Sequence, residues 1–191
     1  MTDSITQPRP GKRERLLAAA RSTFYEQGIE RTTIADIASV ADVPMGNVYY
    51  YFKTKAELVA AVIDLYKTSY ESMIASVERR RTPKARLRAL VAEWVDRREN
   101  LAAHGCPIGT LCTELSKQAD LLGPDAAAIL TRLLGWIEEQ FRAMGRKDAA
   151  ELAIALLASY EGIAVLADAL NNPSLIRAEG HRLERWIDSL A

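Results

Sequence analysis

Tyr49, Tyr50, Tyr51 and Phe52 stand in unbroken succession, and neighbouring residues of an α-helix point about 100° apart. Four aromatic rings in a row therefore sweep round a whole helix, and one or two of them must look outward. A tyrosine hydroxyl donates well to a phosphate oxygen, and its ring packs on a sugar or a thymine methyl. Gly46, three residues earlier, lets a backbone come close to such a ligand. Lys55 adds a cation in the first turn of the next helix, where backbone N–H groups also favour anions. This chemistry suits a nucleic-acid backbone; the same four rings would also serve a plain helix–helix interface with hydroxyls at its rim.

The elements that must hold these residues are helical. "KRERLLAAARSTFYEQG" places Leu16, Leu17, Ala20, Phe24 and Tyr25 on one stripe and ends at Gly28, a C-terminal glycine. "TIADIASVA" is a short helix opened by Thr33 with Asp36 three residues on, an approximate capping box. "ADVP" then breaks the chain before a third short helix through the tyrosines. One longer helix, two short ones and a tight turn make a helix-turn-helix, spanning about 33–52. Val48 and Phe52, four residues apart, share the face that packs on Ile34, Ile37 and Ala38. Met45, Asn47, Tyr49, Tyr50 and Tyr51 are left outside. Charge agrees weakly: residues 1–55 hold eight Lys/Arg against six acids within a chain of zero net charge.

The stretch "TTIADIASVADVPMGNVYYYFKTKAEL" resembles the signature of the TetR family of bacterial transcriptional regulators, over about residues 12–66. The family pattern is a Thr opening the second helix, an I-A pair, a V after the turn, then G-x-hydrophobic-Y-x-(H/Y)-F-x-x-K-x-x-L. By position, the resemblance implies that Thr33 touches phosphate. It puts Met45, Gly46 and Asn47 at base edges or nearby backbone, Tyr49, Tyr50 and Tyr51 at phosphate and groove positions, and Lys55 at a phosphate. Tyr51 stands where His is commonest. Met45 stands where Lys, Arg or Ser is frequent, so one base contact is expected to be apolar, to a thymine methyl.

Downstream the helical period continues. Thr54 and Glu57 form a capping box for a long helix carrying Leu58, Val62, Leu65 and Tyr66, and Thr82–Pro83 start another with Leu87, Leu90, Val91, Trp94 and Val95. A short helix covers about Pro107 to Lys117, and "LGPD" starts a seventh that Gly145 ends. From Asp148 to Leu170 the chain is apolar or small nearly all round, and "NNPS" leads into a last helix with Ile176, Leu183, Trp186, Ile187 and Leu190 on one face. The chain is expected to be all-α with about nine helices. Residues 1–11 read as a disordered lead-in, 12–55 as the DNA-binding domain, and 56–191 as a second domain.

For that second domain the resemblance implies a ligand-binding core and a homodimer formed by the last two helices, the arrangement of a repressor released from a palindromic double-stranded operator. Tyr160, Leu183, Trp186 and Ile187 are the expected dimer contacts, since two such helices from each subunit make a four-helix bundle. Tyr66, Tyr70, Met73, Trp94, Cys106, Leu111, Trp136 and Tyr160 are the expected lining of a chamber for a small, largely apolar effector. Each of them singly also suits a helical core. Cys106, before Pro107 at a helix start, could have its thiol pKa lowered by the helix dipole. A thiol-based sensor of electrophiles or oxidants on the same scaffold is therefore the alternative reading, beside two small buried hydrophobes.

Other classes are poorly served. His104 and Cys106 are two residues apart with no third group to orient them, and the chain has only two histidines. It has no glycine-rich phosphate loop, so neither an enzyme nor a cofactor is expected. No uncharged apolar run approaches the roughly 18 residues of a membrane span. A chain that is 49% hydrophobic and 26% charged, with two cysteines, is expected in a reducing cytoplasm, and the resemblance implies that it is bacterial, with the protein at the nucleoid when bound to DNA.

Overall fold

The computed structural model describes residues 10–117 and 122–190. All regular structure among these residues is helical, in two compact units that divide after Val62. Of the expected lead-in, residues 1–9 lie outside the described residues.

The N-terminal unit contains α1 (Lys12–Gln27), α2 (Ile34–Val40), α3 (Met45–Tyr51) and the first turns of α4 (Lys55–Glu78). Its core is Leu16, Ala20, Phe24, Ile37, Ala38, Val43, Val48 and Phe52, with Leu58, Val59 and Val62 of α4 completing it. Those three buried residues explain why the unit runs to 62, inside α4, rather than to 55. Helix starts follow local chemistry. Thr33 Oγ1 accepts from Asp36 N–H at 3.2 Å while Asp36 Oδ2 accepts from Thr33 N–H at 2.8 Å, a complete capping box. At α4, Thr54 Oγ1 accepts from Glu57 N–H at 3.1 Å, but the Glu57 carboxylate reaches past the cap to Lys53 N–H at 2.7 Å.

The C-terminal unit holds the rest of α4, then α5 (Pro83–Asp96), α6 (Arg98–His104), α7 (Pro107–Ser116), α8 (Gly123–Ala143), α9 (Ala149–Ala169) and α10 (Ser174–Ser189). Thr82 caps α5 by accepting from Ala85 N–H at 3.2 Å. Ten helices are described because the expected fifth is divided at Arg97, whose ψ of 9° leaves the helical region. After α9 the chain turns at Asn171 (φ 46°), which a short polar side chain tolerates. Asn171 and Asn172 N–H close the helix on Asp168 and Ala167 carbonyls.

Within this unit α9 is the central element, packed on α6, α8 and α10, while α10 also lies on α5. The α5–α10 approach is close because Gly180 has no side chain: a Cβ there would sit 2.3 Å from Val95 Cγ2. Although charges interrupt it, α9 is long and apolar enough to cross a membrane by length and composition, with mean hydropathy 1.6 over an 18-residue window. Only 33% of that window is buried within the protomer.

Candidate functional site

On α3 the division of faces is as the spacing requires. Val48 and Phe52 are buried, whereas Met45, Tyr49 and Tyr50 are exposed, Tyr50 at 76% of its surface. Tyr51 is half-buried and meets Tyr50 edge-on, ring centroids 5.0 Å apart. Asn47 is half-buried, and a Cβ added at Gly46 would meet nothing within 4 Å. The glycine is thus not demanded by packing; it leaves bare backbone on the outer surface. Ile34, expected in the anchor, is only half-buried, and Val43 and Ala41 fill the core beside Ile37 instead.

Two placements alter individual expectations. Thr33 gives its hydroxyl as well as its N–H to Asp36 Oδ2, the hydroxyl at 2.7 Å. These two bonds hold the Asp36 carboxyl below its usual range. Thr33 is therefore engaged in starting α2. Lys55 Nζ donates to the Glu30 carbonyl at 3.3 Å, so its amine stays beside α1's end rather than extending freely.

Arg15 escaped the sequence reading. Its Nη1 donates to the Ala41 and Asp42 carbonyls, both at 3.0 Å, and lies 3.4 Å from Asp42 Oδ2. Asp42 sits at φ 51° in the turn between α2 and α3. Arg15 thereby ties this strained turn to α1. A lone arginine on a polar helix face carries no local signal of that role.

In the C-terminal unit the chamber residues separate into two sets. Tyr66, Tyr70, Trp94, Cys106 and Tyr160 come together. Trp94 stacks on Tyr160 at 4.2 Å between centroids with 23° between planes, and Tyr70 lies within electrostatic reach of Cys106 and Tyr66. Burial drives both Tyr70 and Tyr160 well above the usual phenol range. Met73, Leu111 and Trp136 are core instead. Trp136 is fully buried and donates its indole N–H to Glu78 at 2.9 Å. Beside the Trp94–Tyr160 stack there is about 10 Å³, room for one water at most. Among the described residues, a cleft of about 210 Å³ opens between α4 and α8, lined by Tyr70, Ile74, Ala128 and Ile129 among others.

The cluster also contains Glu161, half-buried on α9 and within electrostatic reach of the Cys106 thiol. Its signal was visible only as a charge inside a very apolar helix. Cys106 caps α7, accepting from Gly109 N–H at 3.4 Å, as expected of a residue before Pro107. Its thiol nonetheless goes the opposite way from expectation. Burial, then the neighbouring Glu161 charge, push it up to about 12, because both disfavour a thiolate more than the helix start favours it. Both cysteines are free.

The residues expected at a dimer seam lie largely within the protomer. Tyr160, Leu183 and Ile187 are buried in the protomer's own core, and Trp186 packs half-buried against Phe141 at 5.9 Å. The apolar residues left outside are on α9: Ile154, Val165, Leu166 and Leu170, with Ala158 and Gly162 between them. Positions 154, 158, 162, 165 and 166 lie on one helical stripe.

Residues 16–62 match the model of the bacterial regulatory proteins of the tetR family, and residues 83–181 that of the LmrA/YxaF-like transcriptional regulator C-terminal domain. The regulator TtgR of Pseudomonas putida is 28% identical over 188 residues, covering 93% of this chain and 88% of TtgR. The transcriptional repressor KstR2 of Mycolicibacterium smegmatis is 36% identical over 61 residues, 32% of this chain and 29% of that one. The crystal structure of SCO4454, a TetR-family regulator from Streptomyces coelicolor, shares the fold with a TM-score of 0.80 at 20% identity, over 94% of this chain and 93% of that one. With both halves of the pattern matched over more than half of its length, the chain belongs to the TetR family: it is a DNA-binding transcriptional regulator and not an enzyme.

Proposed function

We propose that this regulator is a repressor, which holds a palindromic operator as a homodimer and lets go when a small molecule enters its C-terminal unit. The observation that carries the reading is the face of α3: Val48 and Phe52 hold the helix from behind while Met45, Tyr49 and Tyr50 stand clear of the protein. On this reading Tyr49, Tyr50, Tyr51 and Lys55 meet phosphates, with Lys55 leaving the Glu30 carbonyl to do so. Gly46 and Asn47 approach base edges, and Met45 lies against a thymine methyl. Thr33 serves DNA by starting α2. The sign of regulation is supported by relatives such as KstR2 that are named repressors.

Pairing of protomers is supported by α9, whose exposed apolar stripe carries Ile154, Val165 and Leu166 on one face, the kind of surface that marks a protein interface. A twofold pair presents two α3 helices to two half-sites, which is why the operator is palindromic. Release is supported by the cleft beside Tyr70. The chain passes from one unit to the other inside α4, so a ligand that favours one setting of Tyr66 and Tyr70 acts on the helix that begins at Lys55. A buried Cys106 with a pKa of about 12 speaks for a bound effector over thiol chemistry. On this reading the protein works in the cytoplasm, at the nucleoid when bound to DNA. A gel shift with the DNA upstream of its own gene tests the proposal. A retarded band competed by specific but not random duplex is expected, and equal competition by both would refute it.

A further inference from the structure

The C-terminal end of α3 carries two cations that the outward tyrosines do not account for. The Arg13 guanidinium of α1 lies over the Phe52 ring, 5.4 Å from its centroid. Lys53 folds its amine back onto the Tyr49 carbonyl at 2.6 Å. Both side chains are exposed. Among the described residues neither charged group is paired with a carboxylate, unlike Arg15, which lies 3.4 Å from Asp42 Oδ2. The acids beside them in sequence are turned to helix starts instead. Glu14 accepts from Gly11 N–H at 3.0 Å, and Glu57 from Lys53 N–H at 2.7 Å.

Electrostatics gives this placement a direction. The last carbonyls of a helix lack partners within it and lend its C-terminus a partial negative charge, which disfavours a second anion there. α3 has only seven residues, about 10 Å of helix. Its negative end therefore lies within about one Debye length of whatever its outer face touches at 0.1 M salt. Phosphates drawn to Tyr49 and Tyr50 would meet that end unless cations offset it. Lys53 answers the Tyr49 carbonyl with a full charge. Arg13 adds another, and its seat on a ring holds a long side chain in place while the guanidinium keeps its fork of donors for an oxyanion.

From this we infer that Arg13 and Lys53 grip the phosphate backbone of the bound duplex where it passes the C-terminal end of α3, in addition to the contacts of Tyr49, Tyr50, Tyr51 and Lys55. Phe52 then has two uses: it anchors α3 in the core and positions the arginine of α1. These contacts read no bases; they add affinity for any duplex and fix how α3 lies on it. The inference rests on the reading of the α3 face above and extends that surface to α1.

The test uses the full-length protein and a random-sequence duplex, to which binding is essentially all phosphate electrostatics. Affinity is read by fluorescence anisotropy over a range of salt concentrations. Arg13→Gln and Lys53→Gln should each lower the slope of log affinity against log salt by about 0.9 for every protomer on the duplex. Over a fourfold rise in salt, each such variant then loses roughly 3.5-fold less affinity per protomer than the parent does. Arg13→Lys, which keeps the charge, should keep the parent slope. Melting temperature and circular dichroism accompany each variant. A merely structural role for Arg13, as a cover for Phe52, would lower the melting temperature and weaken binding equally at every salt concentration. An unchanged slope for either glutamine variant overturns the inference, as does an Arg13→Lys slope that stays at the Arg13→Gln value. The operator reading is judged separately, by competition between the duplex upstream of the gene and the random one. Equal competition with the slope losses present sinks that reading alone, whereas specific binding with unchanged slopes sinks only the inference.

Discussion

Val165→Asp should separate the protomers without unfolding them. Val165 is 64% exposed on the α9 stripe, beside Ile154 at 57% and Leu166 at 53%. An exposed substitution of this kind changes protomer stability by about 0.5 kcal/mol or less, and valine and aspartate differ little in helix propensity. In a paired α9 seam the same carboxylate is taken out of water against apolar neighbours. An effective penalty of several kcal/mol attends a buried unpaired ion. Taking about 2 kcal/mol per copy after relaxation, and two copies in a twofold interface, the dimer loses about 4 kcal/mol. That is roughly three orders of magnitude in the dissociation constant. Operator affinity then falls as well, because half-sites no longer engage as a linked pair. Sedimentation at micromolar protein should show monomers whose circular dichroism and melting temperature match the parent. An intact dimer at about 1 μM, with a dissociation constant unchanged from the parent's, would refute the assignment of the stripe. Trp186→Asp, by contrast, strikes the protomer's own packing against Phe141 and should lower the melting temperature first.

Lys55→Ala should weaken binding to all duplexes alike and reduce the slope of log affinity against log salt by about 0.9, one phosphate contact; an unchanged slope would remove Lys55 from the DNA surface. Arg15→Ala deletes two charged-donor bonds to the Ala41 and Asp42 carbonyls, and should cost the N-terminal unit about 2 kcal/mol in denaturant unfolding and reduce operator affinity. Gly180→Ala forces a methyl to within 2.3 Å of Val95 and should cost about 1–3 kcal/mol by overpacking, read as a lower melting temperature. Cys106, raised from 9.0 to about 12, carries about a thousandfold less thiolate at neutral pH than an ordinary thiol. In the folded protein its alkylation should rise with pH up to about 12, and at pH 7.5 the half-buried Cys112 should react first; rapid modification of Cys106 at that pH would contradict its burial.

Local chemistry was enough for much of this protein. Capping pairs at Thr33–Asp36 and Thr82–Pro83, the stops at Gly28 and Asn171–Asn172, and the four-residue spacing of Val48 and Phe52 all act through near neighbours. Such interactions are the same in any fold, so helix limits and the outward tyrosines could be read before a structure existed. Which apolar face meets which partner is another matter. Tyr160, Leu183 and Ile187 look like seam residues on a helical wheel, yet α8 and α5 take up the inner faces of α9 and α10 and leave Ile154, Val165 and Leu166 outside. A wheel shows how much surface needs covering, but not whether it is covered from within the chain or by a second copy. Arg15 and Glu161 lay further out of reach. Their partners are 26 and 52 or more positions away along the chain, at Ala41 and at Gly109 and Cys106. Hydrogen bonding and desolvation depend on distances that only the packed tertiary structure sets. The same packing turned Cys106 from a thiol primed by a helix start into one held protonated by burial and a carboxylate.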